Sequence, residues 1–411
     1  MIFNTGGGVN ATRKVTGKSL YLADTAGGKY KNIKLVGASV QNGTPAVSKP
    51  VDIVSNKVKS ITAGNKNALE NTVTTLTKDG LTFTVNKDKS VTVNGTATAQ
   101  TFFVVLGGNK GREKILGKEI ILSGCPSTGG ADKYYLQFYH YDKNNNNALD
   151  YGSGTKFTFT NDTADFNVSI IVKSGVTVSN LTFKPMIRLA SISDDTYEPY
   201  TAITAELDET YELNAINGIY DEIDLERGVR IQRFGVQVFD GSSDENWKSA
   251  ITSISGVYRN TTSFLKNVAK TYDISETANL LSTHYNAVPS NTQGTWGAKT
   301  GISCDGSATI MVYDGRFNTE DVSLWKAHLA SNPMTVVYEL ATPVETPLSV
   351  DELIAFNKLR AYKSGSSLLN SGDCDMEVEY FLNNKVGQPM ADTHMNTAKY
   401  ILDGATLNII V

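Results

Sequence analysis

Short apolar runs separated by turn residues recur along most of the chain and constrain its fold more than any other feature. Residues 81–99, LTFTVNKDKSVTVNGTATA, space Phe83 and Val85 two apart, pass through a polar NKDKS segment, and resume the alternation at Val91 and Val93. This period of two, interrupted by a tight polar turn, predicts a β-hairpin. Further runs follow before residue 190 at TFFVVLG, KEIILSG, KYYLQFYHYD, TKFTFTN and FNVSIIVKSG. Strands this short and frequent favour stacked antiparallel sheets over alternating strand and helix units.

The length and composition indicate more than one β-rich domain. At 411 residues the chain exceeds one ordinary core, and a domain size of about 150 residues predicts two or three. Charged residues make up only 19% and glycine is abundant, a balance that suits half-buried strands and tight turns. We therefore predict a mainly β fold with two antiparallel β-sandwich domains of the jelly-roll type, a small β docking module and two short helices.

Charge is distributed unevenly along a chain whose net charge is -4. Residues 1–60 carry nine Lys or Arg against two Asp, whereas residues 190–230 carry eleven Asp or Glu against two Arg. We expect these segments to pair, which would make the first sandwich an insertion, while the overall acidity gives no electrostatic case for binding nucleic acid or an anionic membrane. The predicted organisation is an anchoring arm (1–12), a docking module (13–57 with 200–230), a first sandwich (58–199), a second sandwich with the helices (231–385) and a C-terminal assembly segment (386–411).

The stretch LTFKPMIRLASISDDTYEPYT, residues 181–201, predicts a domain boundary. Apolar residues alternate from Leu181 to Leu189 and indicate the last strand of the first sandwich, which Pro185 restricts to an edge or a bulge. An acidic and aromatic exit follows, where the chain is expected to rejoin the basic N-terminal module. The residues expected to form this exit are Asp194, Asp195, Tyr197, Pro199 and Tyr200.

Two segments of the C-terminal half have helical patterns. NTEDVSLWKAHLASNP offers Asn318 or Thr319 as N-cap, with Glu320 and Asp321 in the first turn and apolar residues at helical spacing. SVDELIAFNKLRAY opens with a Ser-x-x-Glu capping box. We expect both helices to cover a sheet.

Cysteine usage and the start of the chain bear on where the protein is made. Cys125, Cys304 and Cys374 are far apart, odd in number and without a CxxC arrangement, so the sequence supports neither a disulfide framework nor a zinc site. We expect free thiols in a protein made in a reducing cytoplasm. No signal sequence opens the chain and no apolar run approaches about 18 residues, so we expect no membrane insertion.

No constellation of residues predicts catalysis, a metal or a cofactor. Asp244 and Glu245 are adjacent, and since neighbouring strand residues point to opposite faces, this pair is unsuited to bracketing a glycosidic bond; GSSDENW is more typical of a turn. No GxSxG, P-loop, GxGxxG or HExxH motif occurs. The four histidines lack metal-ligand spacing, and Asp142 and Asp150 are few carboxylates for calcium. We expect a protein that is not an enzyme.

The segment KYYLQFYHYD is the richest aromatic strand. One face of such a strand must lie on the core and the other must look outward, although the sequence does not say which. An outward row of tyrosines beside an amide would stack on sugar rings, whereas the simpler alternative is cross-strand pairing within the sheet. The candidate glycan-binding residues are Tyr135, Gln137, Tyr139 and Tyr141, and the opposite face holds Tyr134, Leu136, Phe138 and His140.

Both chain ends have features of assembly segments. The opening MIFNTGGG combines an apolar anchor with glycines whose backbone freedom suits an arm that folds onto another protein. The ending TAKYILDGATLNIIV is apolar and suits packing on a neighbouring subunit. The candidate docking residues of the arm are Ile2, Phe3, Gly6, Gly7 and Gly8.

Several segments resemble tail-associated minor structural proteins of phages and prophages of Gram-positive bacteria. They are KNIKLVGASVQNGTPAVSKPVDIVS, NALENTVTTLTKDGLTFTVNKDKSVTVNGTATA, LTFKPMIRLASISDDTYEPYT, NPMTVVYELATP and LSVDELIAFNKLRAY, and the resemblance covers most of residues 30–385. It implies a virion protein of the tail tip, baseplate or fibre, built of carbohydrate-binding-like β-sandwiches and usually assembled as a homotrimer. It implies receptor recognition and carries no catalytic residue.

The residues and the resemblance together predict a structural protein of a phage virion. We expect it to be made in the bacterial host cytoplasm, released by lysis, docked on other virion proteins through its arm, and to contribute to recognition of a host cell-surface polysaccharide. A head fibre or capsid decoration protein is the alternative within this class. A polysaccharide depolymerase and a bacterial surface adhesin are the alternatives from other classes.

Overall fold

The fold is mainly β, which confirms the predicted fold class at that level. The computed structural model describes residues 11–71, 73–106, 112–140, 147–160, 165–249, 257–260, 276–289, 300–305, 309–314, 316, 321–383, 401–403 and 406–408. Strand accounts for 54% and helix for 7%, and the strands form curled antiparallel sheets. None of the helices in these ranges is long and apolar enough to cross a membrane.

The part of the chain before residue 190 consists of strands and one helical turn. The strands up to residue 65 are β1 (Thr12–Gly17), β2 (Ser19–Ala23), β3 (Asn32–Val36), β4 (Ser39–Gln41) and β5 (Ile53–Asn65). They are followed by β6 (Leu76–Lys78), β7 (Leu81–Val85), β8 (Val91–Thr96), β9 (Thr101–Leu106), α1 (Arg112–Ile115), β10 (Glu119–Ser123), β11 (Tyr134–His140), β12 (Ala148–Asp150), β13 (Thr155–Thr158), β14 (Phe166–Val172), β15 (Thr177–Phe183) and β16 (Met186–Leu189).

The part of the chain after residue 200 adds strands and the two longer helices. Its strands up to residue 313 are β17 (Ala202–Leu213), β18 (Ala215–Ile216), β19 (Ile219–Tyr220), β20 (Glu222–Asp224), β21 (Val229–Phe239), β22 (Trp247–Ser249), β23 (Val257–Asn260), β24 (Leu280–Ser282), β25 (Gly301–Asp305) and β26 (Thr309–Tyr313). The remaining elements are α2 (Val322–Ser331), β27 (Met334–Pro347), α3 (Val350–Asn357), β28 (Gly365–Asn370), β29 (Asp375–Phe381), β30 (Ile401–Asp403) and β31 (Thr406–Asn408).

Two sheets enclose one core, and we call this unit the base. One sheet has the strand order β1-β29-β3-β20-β21-β27-β24, and the other has the order β17-β5-β28-β2 with β4 beside β5. The sequence of β29, DMEVEYF, places alternate apolar residues in the core between the sheets. Its acidic residues point the other way, where Glu377 binds Lys14 and Glu379 binds Lys31, each at 2.7 Å.

The strands that pair with β28 and with β29 show that the predicted domain division is wrong. β29 pairs with β1 and β3, and β28 pairs with β2 and β5. The predicted second sandwich, residues 231–385, therefore shares its sheets and core with the predicted docking module, residues 13–57 with 200–230. The expected pairing between segments of opposite charge does occur, since Lys34 lies 2.9 Å from Asp224 and Lys57 lies 3.5 Å from Glu212.

The inserted module, residues 66–201, leaves and rejoins the base between two paired strands. β5 ends at Asn65 and β17 begins at Ala202, and Gly64 lies opposite Ala202 in their antiparallel ladder. The predicted boundary at residue 58 lies inside β5 and is therefore wrong, whereas the predicted return near residue 200 agrees with the start of β17. The strand runs on because IVSNKVKSITAGN contains no turn signal before Gly64.

Three sheets enclose the core of the inserted module. Their strand orders are β15-β8-β7-β6, β12-β11-β14-β9 and β13-β10-β16. The hairpin predicted from the alternation of residues 81–99 is confirmed, because Phe83 pairs with Val93 in β7 and β8. Phe83 also stacks on Phe103 of the next sheet at 4.5 Å between ring centroids. Each fully buried phenylalanine of this core contributes about 1.5 to 3 kcal/mol of transfer free energy.

A third core lies at the ends of β21 and β27 that are distant from the core of the base. It includes the sheet β22-β23-β26-β25, strand β24 and helix α2. Trp325 and Leu329 of α2 are buried in it, four residues apart on one helix face, as their spacing predicts. Trp325 meets Trp247 of β22 edge to face at 5.3 Å.

Helix α2 begins later than the sequence indicates. Its N-cap is Asp321, whose carboxylate accepts a hydrogen bond from the backbone N–H of Ser323 at 2.9 Å. The prediction of Asn318 or Thr319 as the cap is therefore wrong, and both residues lie outside the described ranges. As a carboxylate at the N-cap, Asp321 also meets the positive end of the helix dipole.

Helix α3 has the predicted capping box and is attached to the base by it. The Ser349 hydroxyl accepts from the Glu352 N–H at 3.1 Å, and the Glu352 carboxylate accepts from the Ser349 N–H at 2.9 Å. The other oxygen of Glu352 accepts from the backbone N–H of Asp208 in β17 at 3.0 Å. The same buried carboxylate thus caps the helix and fixes it to a strand.

Residues 181–201 form two strands and not the one that was predicted. Leu181 and Phe183 end β15, which pairs with β8, whereas β16 begins at Met186 and pairs with β10 in another sheet. The break falls at Lys184 and Pro185, because proline has no N–H for the ladder and the Lys184 N–H donates to the Gly124 carbonyl at 2.8 Å. The chain therefore changes sheets at this proline.

A buried lysine holds the exit that follows β16. The side chain of Lys66 is fully buried, and its ammonium lies 2.9 Å from Asp194 and 3.4 Å from Glu198. It also donates to the Thr196 hydroxyl at 3.1 Å. Hydrogen bonds from the Thr196 hydroxyl and from the Lys66 ammonium lower the pKa of Asp194 well below its usual range.

The other exit residues contact the inserted module and, through Pro199, the end of β5 in the base. The Tyr197 hydroxyl donates to the Asp88 carbonyl at 2.8 Å, and the Lys114 ammonium donates to the Tyr200 hydroxyl at 2.8 Å. The Pro199 carbonyl accepts from the Asn65 side chain at 2.8 Å. Asp195 is exposed. The exit is thus held both by the inserted module and by the end of β5.

Candidate functional site

The outward face of strand β11 is the face that carries the candidate glycan-binding residues. Tyr134, Leu136 and Phe138 belong to the core of the inserted module. Because side chains alternate along a strand, Tyr135, Gln137 and Tyr139 lie on the opposite face. Tyr141 lies outside the described residues.

The strand register joins Tyr135 to an apolar row that crosses this sheet. Ile171 of β14 lies opposite Phe102 of β9 on one side and opposite Tyr135 of β11 on the other. Tyr151 follows β12 directly, and its ring meets that of Tyr135 edge to face at 5.4 Å. We call Phe102, Ile171, Tyr135 and Tyr151 the outer row.

The two ends of the outer row are exposed and its middle is not. Phe102 is 44% exposed and Tyr151 is 37% exposed, whereas Tyr135 is only 8% exposed. The Lys173 ammonium lies over the Tyr135 ring, 5.6 Å from its centroid, and is held there by a 2.7 Å hydrogen bond to Gln100. Tyr135 therefore supports its neighbours by cross-strand contact, and the open plates of this face are Phe102 and Tyr151.

A second row beside the outer row supplies one partly exposed polar side chain, that of Gln137, while its Ser169 is buried. It runs from Val104 of β9 through Ser169 and Gln137 to Leu149 of β12. Gln137 is partly exposed and presents an amide, which both donates and accepts hydrogen bonds. Apolar plates next to an amide are able to hold a sugar ring by stacking and by hydrogen bonds to its hydroxyls. These two rows contain no carboxylate, so they do not supply the pair that glycoside hydrolysis requires.

The sequence shows the alternation of TFFVVLG but not the exposure of Phe102. In β9, Phe103 and Val105 are buried while Phe102 and Val104 are exposed. The alternation alone divides this segment into two faces. Assigning one face to the outside needs the sheet order, in which β9 lies at an edge.

The acidic residues considered for chemistry have structural roles. Glu245 is buried, and its carboxylate accepts from the Trp247 indole at 2.6 Å and from the backbone N–H groups of Asp240 and Gly241. Burial raises the pKa of Glu245. Asp150 is also buried; it accepts from the backbone N–H groups of Gly152 and Gly154 in the following turn and from that of Cys125 after β10.

No metal-binding cluster of three or more His, Cys, Asp or Glu occurs within the ranges that the structure describes. His140 lies in β11, His284 is buried after β24, and His328 lies on α2 beside Trp325. The candidate docking residues Ile2, Phe3, Gly6, Gly7 and Gly8 lie outside the described residues, as does His394. Of the C-terminal assembly segment, the structure describes the pairing of β30 with β31.

Comparisons with known proteins leave the site to be judged on its own geometry. No family model, no curated protein and no solved structure matches this chain.

Proposed function

We propose that the chain is a structural protein of a phage virion, a tail, baseplate or fibre component that contributes to recognition of a host cell-surface glycan. The resemblance of the sequence segments supports the virion class. The observation that supports glycan recognition is the exposure of the two ends of the outer row, Phe102 and Tyr151, on the face that also presents the amide of Gln137.

In this proposal the inserted module is a carbohydrate-binding-like β-sandwich of the jelly-roll type, and the base carries it on the virion. The sugar would lie across β9, β14, β11 and β12, with Phe102 and Tyr151 as stacking plates. Binding would depend on contact and hydrogen bonds without chemical conversion. Assembly as a homotrimer and docking through the N-terminal arm are parts of the same proposal.

The glycan part is tested by binding on a glycan array, followed by titration of the glycans that bind. Burying a whole phenylalanine side chain contributes about 1.5 to 3 kcal/mol, and these two plates are 44% and 37% exposed, so we expect Phe102→Ala combined with Tyr151→Ala to weaken binding by about tenfold or more. Val236→Ala is the matched control, because Val236 is 50% exposed but lies in the base. Equal affinities of the double variant and the wild type would refute this face as the site.

The virion part is tested on purified particles with a gold-labelled antibody against the inserted module. Label at the tail tip supports the proposal, whereas label on the head favours a head fibre or decoration protein. Absence of the chain from particles, measured by mass spectrometry, would refute the virion assignment. Release of reducing ends from a bound polysaccharide would favour a depolymerase.

A further inference from the structure

An open groove lies on a different sheet of the inserted module, between the outward face of β13-β10-β16 and the exit chain. Its volume is about 730 Å³, within the usual range of about 300 to 1,000 Å³ for small-ligand sites. We call it the exit groove. The lining residues used below are Ser123, Lys156, Lys184, Arg188, Asp195 and Tyr197.

The floor of the exit groove follows from the strand register. Ile121 of β10 lies opposite Lys156 of β13 on one side and opposite Arg188 of β16 on the other. With strands about 4.8 Å apart, the Cα atoms of the two cationic residues are about 10 Å apart across the floor. Ser123 lies two residues along the same strand and on the same face.

Arg188 is a buried cation without an ion-pair partner in the described residues. It is 7% exposed, and no carboxylate of these ranges lies within 4.0 Å of its guanidinium. Its hydrogen bonds come from Nη1, which donates to the carbonyls of Ile192 and Leu189, while the buried Nε has no acceptor. Burial lowers the pKa of Arg188, and the attraction of Asp195 and Asp194 offsets this effect only in part.

The surroundings of Arg188 make the exit groove cationic and give it an aromatic wall. Lys184 is exposed at the rim, with its ammonium 6.0 Å from the centre of the Tyr197 ring. Lys156 also forms an ion pair at 2.8 Å with Glu119, which does not line the groove. Three cations therefore face one lining carboxylate, Asp195. Ser123 adds a buried hydroxyl that has no hydrogen-bond partner among the described residues.

An unpaired buried charge is costly, and an incoming anion would remove that cost. A guanidinium binds carboxylate or phosphate through parallel N–H groups, and such charge-assisted bonds are about twice as strong as neutral ones. Tyr197 beside this anion site offers a ring face for the apolar side of a sugar. Gly124 and Gly152 let the surrounding backbone approach closely, because a Cβ at either would lie within 2.6 Å of a carbonyl oxygen.

From this geometry we infer that the exit groove binds an acidic saccharide, with its carboxylate or phosphate on Arg188 and Lys184 and its ring against Tyr197. The groove and the outer row lie on different sheets, so this inference does not depend on the proposed function. Loss of one site is expected to leave the other unaffected.

The test is calorimetric titration of the full chain with three probes: oligogalacturonate, glucose 1-phosphate and neutral maltotriose. We expect at least one acidic probe to bind and maltotriose not to bind the groove, and the acidic probe that binds identifies the anionic group. Arg188→Met should weaken this binding at least tenfold. Because it also removes the hydrogen bonds to the Ile192 and Leu189 carbonyls, its binding is measured below its own thermal midpoint, which separates loss of the site from loss of the fold.

Lys184→Ala provides a second test at an exposed position, and Lys133→Ala is its control on an exposed lysine of the same module outside the groove. We expect Lys184→Ala to weaken acidic-probe binding several-fold, Lys133→Ala to leave it unchanged, and added salt to weaken it. The inference is overturned if neither acidic probe binds at millimolar concentration, or if Arg188→Met and Lys184→Ala both bind as the wild type does.

Discussion

Replacing Lys66 with methionine is expected to loosen the exit of the inserted module. Methionine keeps an unbranched apolar stem in the buried site but removes the ammonium that contacts Asp194, Thr196 and Glu198. Breaking a fully buried ion pair costs about 3 to 5 kcal/mol. The two carboxylates here are 29% and 34% exposed and regain water, so we expect a smaller cost of about 2 kcal/mol.

This free-energy cost can be measured by limited proteolysis, which reports how often the exit of the inserted module opens. A loss of 2 kcal/mol raises the open population by about 30-fold, and cleavage follows that population when the segment recloses faster than the protease cuts. Chymotrypsin should therefore cut Lys66→Met about 30-fold faster after Tyr197 and Tyr200, with the sites identified by mass spectrometry. We expect less than about a threefold change for Lys57→Met, whose pair with Glu212 is exposed. A change below threefold in Lys66→Met would refute the reasoning.

Two further predictions concern buried groups. Asp221→Ala is expected to lower the free energy of unfolding by about 3 kcal/mol or more in urea titrations, because the buried carboxylate accepts from Asn214 and from the backbone N–H groups of Arg233 and Phe234; a loss below about 1 kcal/mol would contradict these contacts. Burial raises the pKa of both Cys125 and Cys374 to about 12, so at pH 8 both thiols should react with a disulfide reagent only after unfolding; rapid modification of either residue in the native protein would contradict their burial.

Local features of this fold were predictable where neighbouring residues determine them. The β7-β8 hairpin depends on an alternation around one turn, and the start of α3 depends on a capping box, so both follow from a few adjacent residues. The position of the α2 cap was missed because several polar residues precede that helix and each satisfies the same rule. Asp321 was assigned to the first turn although it is the cap.

The long-range pairing of strands was not predictable from the same patterns. β1, near the start of the sequence, pairs with β29, near its end. Alternation of apolar residues specifies which face of a strand is buried but not which strand lies beside it. For the same reason, the sequence predicts only part of the candidate site. The sequence offers two faces for β11, and the one with Tyr135 and Gln137 is the outward face. The burial of Tyr135, however, depends on contacts with Tyr151 and Lys173, which directly follow two other strands.

The ladder between β5 and β17 makes the inserted module separable in evolution from the base that carries it. Gly64 and Ala202 face each other across one strand spacing of about 5 Å, so a turn of a few residues would join them into a plain hairpin. The base keeps its two sheets whichever sequence occupies residues 66–201, because the core residues of the base lie outside that range. Such a junction would let a lineage replace the inserted module by recombination at one pair of neighbouring positions while the scaffold remains the same.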